Sequence, residues 1–222
     1  NILTYLFVSA IDTVKLNNDD QDNVYDNSRV AIPSQYQNFQ GLTWKHLFGN
    51  GFSTVTLGSI YTRFETFQND SNLVEQLRNE SREVEFVLKT DVDLQLASKT
   101  TLNIGNQVKF GGILEYDVLV AGQYRRDNLG NPQPLDVDTN FTAYKNGTYA
   151  AITHGIGMHK FSIGGRMDYY NYTKDKLYFS PRLSAIYTIN ENSALIFSGG
   201  RYYQAPSYIW TIGGSPEKLN AI

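Results

Sequence analysis

The chain has 222 residues, 41% of which are hydrophobic, and a formal net charge of -3. This acidic balance, with no run of lysine or arginine, excludes a protein that binds nucleic acid through a basic surface. The absence of cysteine excludes a disulfide framework and a thiolate metal site. The sequence also lacks a run of about 18 apolar residues, so no transmembrane helix is predicted.

Nine β-strands are predicted in chain order, because apolar residues recur with a period of two and turn residues separate the runs. Many of these strands exceed the usual length of about 5–6 residues in globular proteins. A strand that crosses a membrane at a tilt needs about 9–11 residues. The predicted strands cover residues 2–14, 37–48, 52–66, 82–96, 101–121, 141–156, 161–170, 178–189 and 194–204.

The connections between the predicted strands alternate in length. Consecutive antiparallel strands send every second connection to the same end of a sheet, so all the long connections lie at one end. This asymmetry is typical of outer-membrane β-barrels, which have short periplasmic turns and longer extracellular loops. Short turns are predicted at 49–51, 97–100, 157–160 and 190–193, long loops at 15–36, 67–81 and 122–140, and a loop of medium length at 171–177.

Three strands separate into an apolar and a polar face, namely 83–96, 161–170 and 182–189. In the second of these, apolar side chains such as Ile163 oppose Arg166 and Asp168. A charged face suits a water-filled barrel lumen, and it equally suits the solvent-facing side of a soluble sandwich. Both architectures therefore stay open from the alternation alone, and no faces are assigned to strands 2–14 and 101–121.

Aromatic residues collect near the predicted strand ends, as in the two interfacial girdles of a membrane barrel. The cluster at a short turn is Trp44, Phe48 and Phe52, and the cluster at the long-loop end is Tyr169, Tyr170, Tyr172, Tyr202, Tyr203, Tyr208 and Trp210. The glycine pairs Gly111-Gly112 and Gly164-Gly165 are predicted to be strand bends.

The residues that could perform catalysis or bind a metal form no recognisable set. His154 and His159 flank one short turn without a metal-binding motif, and the acidic segment 17–26 lacks the glycine and terminal glutamate of an EF-hand loop. No nucleophile, base and orienting group occur in a known pattern. We therefore predict no enzyme, no cofactor and no metal site.

Three segments resemble the barrel of a TonB-dependent outer-membrane receptor. They are Gly164–Tyr170, similar to the family's GxRxD strand, Ser180–Tyr187, similar to its SPRL strand, and Gly200–Ser207, similar to its FRAP element. The motif positions are Pro181, Arg182, Gln204, Ala205 and Pro206, with Gln204 where the family usually has arginine. Residues before 140 fit the family only by strand rhythm and composition.

The resemblance implies an all-β, antiparallel transmembrane barrel of 22 strands with an N-terminal plug, in a Gram-negative outer membrane. Such receptors bind and import scarce nutrients (siderophores, vitamins, haem, oligosaccharides or peptides) with energy from the TonB complex. About nine strands cannot close such a barrel, and no TonB box or plug is recognisable. We therefore expect residues 1–222 to be a partial barrel, without the plug that contacts TonB, embedded in outer-membrane lipid and with a surface lipoprotein as an optional partner.

The resemblance also suggests which residues contact the ligand. Candidates on polar strand faces are Arg166, Asp168 and Arg182, and candidates at the outer end are Tyr202, Tyr203 and Trp210. Their alternative roles are charge pairing within the lumen and anchoring at the membrane interface. The function predicted is TonB-dependent import, and the alternatives are a passive porin-like barrel and a soluble secreted β-sandwich that binds a ligand.

Overall fold

The computed structural model describes residues 1–14, 16, 19–127 and 129–212. Nine antiparallel strands form one sheet in sequential order, each paired with its neighbours along the chain. The strands are β1 (Ile2–Thr13), β2 (Ser34–Phe48), β3 (Gly51–Asn69), β4 (Glu75–Ala97), β5 (Thr100–Arg126), β6 (Pro132–Ile156), β7 (His159–Tyr170), β8 (Leu177–Asn190) and β9 (Ser193–Gly200). Two helices, α1 (Gln21–Ser28) and α2 (Ile209–Ile212), lie outside the sheet. Among the described residues, no helix is both long and apolar enough to cross a membrane.

The number and order of strands confirm the predicted fold class, but three strands are much longer than predicted. β4, β5 and β6 have 23, 27 and 25 residues. The predicted long loops 67–81 and 122–140 are therefore wrong, because most of their residues continue the strands. Their charged side chains resemble loop residues in the sequence, although the backbone stays extended and paired.

The two faces of the sheet are named by what packs on them. Residues 201–212, here called the strap, leave the end of β9 and pack on one side, which we call the inner face. The other side is the outer face, where Ile163 of β7 is 61% exposed. On the inner face of the same strand Asp168 is only 3% exposed. Exposed apolar and buried charged side chains reverse the usual arrangement in soluble proteins, so the single sheet does not fit the β-sandwich alternative.

Aromatic and histidine side chains lie at the two edges of an apolar band on the outer face. One pair on each of three strands is ten residues apart: Tyr36 with His46, Tyr144 with His154, and Tyr169 with His159. Ten residues span about 33 Å along a strand, which is about 25 Å across a membrane at a tilt of about 40°. That height matches the apolar band of outer-membrane barrels, and we call it the membrane band.

The predicted girdles are partly wrong. Tyr170, Tyr172 and Tyr208 do not lie at an outer interface, because they are buried together on the inner face. Phe52 is also an inner-face residue, and the Lys45 ammonium lies 3.8 Å from its ring centroid. The girdle at the short-turn end of the strands instead contains outer-face residues of β7 and β8. There the Tyr187 ring stacks on His159, with 4.3 Å between ring centroids.

Several polar side chains among the described residues interrupt the membrane band on the outer face, and three of them are joined by hydrogen bonds. Asn106 donates hydrogen bonds to the Thr148 hydroxyl at 2.7 Å and to the Asn146 carbonyl oxygen at 3.4 Å. These bonds satisfy some of the hydrogen-bond donors and acceptors of the three side chains. They therefore lower the free-energy cost of exposing these side chains to the hydrocarbon of the membrane.

A β-bulge on β5 divides the longest strands into two parts. The pairing of β5 with both neighbouring strands shifts between Gly111 and Leu114. Gly112 is the extra residue of this bulge, with no partner of its own on the neighbouring strands. Even-numbered apolar residues face outward before this bulge and inward after it, from Leu114 onward. The bend predicted at Gly111-Gly112 is confirmed, whereas Gly164-Gly165 lies in an unshifted ladder, where the Phe179 ring covers Gly165.

Beyond the bulge, β4–β6 rise past the end of β7, whose last residue pairs with Lys145. We call residues 75–83, 113–126 and 132–143 the extension. Its inner face provides much of the buried apolar cluster, which consists of Leu114, Tyr116, Val118, Val137, Ala143, Tyr170, Tyr172, Tyr208 and Ile212. The core of the described chain therefore lies above the membrane band and under the strap.

Candidate functional site

The inner face of the membrane band is a polar wall built by side chains that meet across strands. The Tyr149 ring lies over Gly105, its partner in the ladder, and the hydroxyl donates a 2.7 Å hydrogen bond to Asp91. Lys89 forms a 2.8 Å ion pair with the same carboxylate. Carboxylates, ammonium groups and hydroxyls thus line a surface that can stay hydrated inside a barrel.

Arg166 and Asp168 form an ion pair on this wall. Arg166 Nε lies 2.8 Å and 3.0 Å from the two carboxylate oxygens of Asp168. Gly147 is opposite Asp168 in the ladder, and a Cβ at that position would overlap the Arg166 guanidinium. The missing side chain therefore gives the arginine its space, and the pairing matches the charge-pairing alternative considered for these two residues.

Arg182 has a different environment on the neighbouring strand. It lies in one ladder row between Gly164 of β7 and Gly200 of β9. Its guanidinium carbon is 4.9 Å from the ring centroid of Tyr202. Among the described residues, no carboxylate lies within ion-pair distance of it. The pocket beside Arg182 has a volume of about 220 Å³, and its lining includes Tyr149, Arg166, Ser184, Ser198 and Tyr202.

The structure brings some predicted ligand residues together and separates others. Arg166, Arg182 and Tyr202 line the same pocket, and Asp168 forms an ion pair with Arg166 without lining the pocket itself. Tyr203 packs instead on Tyr178, with 4.9 Å between ring centroids. Trp210 lies in α2 and is 81% exposed. All six ligand assignments stay predictions. Arg166, Arg182 and Tyr202 form one continuous surface.

The family-motif residues after β9 belong to a second inner-face feature. Gln204, Ala205 and Pro206 line a pocket together with Glu85 and Lys145. The Pro206 carbonyl accepts a 3.1 Å hydrogen bond from the Tyr172 hydroxyl. The other motif proline, Pro181, accepts a 3.0 Å bond from the Arg201 amide. These contacts fix both ends of the strap's first half.

Sequence reasoning missed the charged cluster beneath the strap. Glu85 forms ion pairs of 2.9 Å with Lys109 and 2.7 Å with Lys145, and it accepts a 2.7 Å hydrogen bond from Tyr208. Burial and this hydrogen bond raise the pKa of Tyr208, and burial raises that of Tyr172. The cluster spans 123 positions, and its three charged residues meet only through the register of three strands.

The candidate metal residues have other contacts. Among the described residues, no group of three His, Asp or Glu side chains could hold a metal ion. His154 lies 2.8 Å from the Thr100 hydroxyl. In the acidic segment 17–26, Asn17 and Asn18 are outside the described residues, and Asp20 accepts a 2.8 Å bond from the Asn23 amide as the N-cap of α1.

A family model described as TonB dependent receptor-like, beta-barrel matches residues 3–220. Neither the curated proteins nor the solved structures that were compared with the chain include a significant match.

Proposed function

Since this chain belongs to the TonB-dependent receptor β-barrel family, we propose that its nine strands form part of the wall of a larger barrel that imports a scarce nutrient. Members of the family are transporters and not enzymes, they lie in the Gram-negative outer membrane, and their transport depends on TonB. Ligand and TonB are therefore the partners that the family implies.

The observation that best supports the proposal is the opposite polarity of the two faces within the membrane band. The outer face exposes large apolar side chains such as Ile163, Leu183 and Phe179. The inner face contains the Arg166–Asp168 pair and the Glu85 cluster. Lipid on one side and water with a solute on the other would satisfy both faces.

A plug domain and further strands complete the proposed transporter, because nine strands in one open sheet leave two unpaired edges. TonB would act on the plug. The ligand would be a siderophore, vitamin, haem, oligosaccharide or peptide. The ligand surface includes Arg166, Arg182 and Tyr202, which line one pocket on the inner face. The surface lipoprotein stays a prediction.

The experiment that tests the proposal is uptake by cells that produce the full receptor. Radiolabelled ferric siderophores, cobalamin, haem, oligosaccharides and peptides are supplied one at a time to strains with intact or deleted TonB. We expect saturable uptake of one ligand class, lost when TonB is deleted. Equal uptake in both strains would contradict the proposal and favour the passive porin-like barrel.

A further inference from the structure

We propose that the pocket beside Arg182 binds an oxyanion, a carboxylate or a phosphate, on the imported ligand. This inference deepens the proposed transport function and rests on it. The structure supports it in three respects: the space around Arg182, the charge balance of the pocket, and the hydroxyl groups on its floor.

The space around Arg182 comes from its neighbours in the ladder. Gly164 and Gly200 flank it on β7 and β9, so no side chain shields the guanidinium along its row of the sheet. A Cβ at Gly200 would lie 3.3 Å from the Arg182 side chain. The two glycines leave the arginine accessible from the lumen side.

The charge balance of the pocket leaves one positive charge without a partner. Arg166 is neutralised by Asp168, with 2.8 Å between Nε and Oδ1. Lys109 and Lys145, two further cations of the inner face, share the carboxylate of Glu85. Arg182 has only the ring of Tyr202, and none of the described carboxylates lies within ion-pair distance.

Hydroxyl groups form the adjacent row of the wall. Ser184 pairs with Ser162 on one side and with Ser198 on the other, and Thr153 donates a 3.1 Å hydrogen bond to the Ser162 hydroxyl. Hydroxyl donors next to a planar guanidinium suit the oxygens of a carboxylate or phosphate, which arginine can hold with two parallel bonds. Stacking on Tyr202 orients that plane.

The test is equilibrium dialysis of the detergent-solubilised full receptor against radiolabelled citrate and, separately, inorganic phosphate. We expect at least one anion to bind, and Arg182→Gln to weaken its affinity by about tenfold or more. Arg182→Lys keeps the positive charge but loses the planar guanidinium that can donate two parallel hydrogen bonds, so an intermediate affinity is expected. The matched control is Lys160→Gln, which removes an inner-face cation near the start of β7 that does not line the pocket.

Failure to bind either anion, or equal affinity of the wild type and Arg182→Gln, would overturn the inference. An equal loss in Lys160→Gln would also overturn it, because general lumen charge would then explain binding. Citrate binding without phosphate binding identifies a carboxylate ligand, and the reverse identifies a phosphate ligand. Solubilised receptor needs no TonB, so anion binding without TonB-dependent uptake would refute the transport proposal alone.

Discussion

The membrane band and the extension share the strands β4–β6, yet their faces have opposite polarity. In the band the outer face is mainly apolar and the inner face is charged. In the extension Leu114 and Val118 are buried on the inner face, and Arg78 pairs on the outer face with Asp117 at 2.9 Å. The backbone ladder is the same in both regions, so the polarity reflects what each face contacts.

The bulge at Gly112 allows the polarity of the two faces to reverse on β5 although apolar residues continue at every second position in the sequence. One extra residue moves the even-numbered apolar series from the lipid side to the inner side. The extension is then stabilised by its own cluster, whereas the band is stabilised by lipid. The two regions should therefore respond differently to the same kind of substitution.

The largest expected effect is that of Leu114→Ala in the extension. Leu114 is 0% exposed, so truncation leaves a cavity and should lower the free energy of unfolding by about 2–5 kcal/mol. The matched control is Leu183→Ala on the outer face of the band, where lipid can fill the space. The measurement is denaturant unfolding of the full receptor in lipid vesicles, and equal losses at both sites would contradict the comparison.

The next largest effect concerns a charge placed in the band. Ile163→Arg puts a guanidinium on the lipid face between Ile152 and Leu183, and should destabilise by about 2–4 kcal/mol. Asn140→Arg places the same side chain on the outer face of the extension, beside Glu115, and should change stability by less than about 0.5 kcal/mol. A similar cost at both positions would place the extension in the membrane.

The sequence predicted the strand number, order and fold class because the alternation and the turn residues are local signals. It failed on the ends of β4–β6, since Arg78, Glu80 and Asp136 resemble loop residues when read alone. They become outer-face strand residues only when a partner strand satisfies the backbone. The same limit applied to Tyr170, Tyr172 and Tyr208, whose burial depends on contacts between segments far apart in sequence.

The candidate site was predicted in the same uneven way. Arg166, Asp168 and Arg182 follow from strand alternation, and the structure places them on the predicted polar face. Which of them is already neutralised could not be predicted, because Gly147 provides the space for the Arg166–Asp168 pair from another strand. Glu85, Lys109 and Lys145 meet only through the register of three strands.

Tyr208→Phe tests the link between the extension's cluster and the band. The variant removes the hydroxyl that donates to Glu85 and should reduce the stability of the strap's attachment by about 1.5–3 kcal/mol. Hydrogen exchange of residues 201–212 measures this attachment. Tyr203→Phe is the control, since Tyr203 packs by its ring. Unchanged exchange in Tyr208→Phe would show that the apolar cluster alone holds the strap.

The same contact has a pH dependence whose sign follows from the raised pKa of Tyr208. A tyrosine whose pKa is higher in the folded state contributes stability below its unfolded value of about 10, and loses it as the pH rises further. Strap exchange, corrected for intrinsic rates, should therefore accelerate only at pH above about 10 in the wild type. Tyr208→Phe should show a smaller acceleration, because Tyr172, whose pKa burial also raises, still donates to the Pro206 carbonyl of the strap.

The smallest expected effect compares the turns of the two hairpins that end the extension. In the first, Asp70 accepts hydrogen bonds from the Asn72 and Val74 amides, and in the second Asp127 accepts the same two bonds from Leu129 and Asn131. The turns differ at their fourth residue, which has a positive φ in both.

That fourth residue is Leu73 at φ 60° in the first turn and Gly130 at φ 87° in the second. A leucine in this left-handed conformation costs about 1–2 kcal/mol, which glycine avoids at a smaller cost in chain entropy. Leu73→Gly should therefore stabilise its hairpin by about 1 kcal/mol, and Gly130→Ala should destabilise the other by a similar amount. Hydrogen exchange of the amides beside each turn measures both changes. If Leu73→Gly were destabilising instead, the Leu73 side chain would have to make contacts that outweigh the strain, although it is more than half exposed.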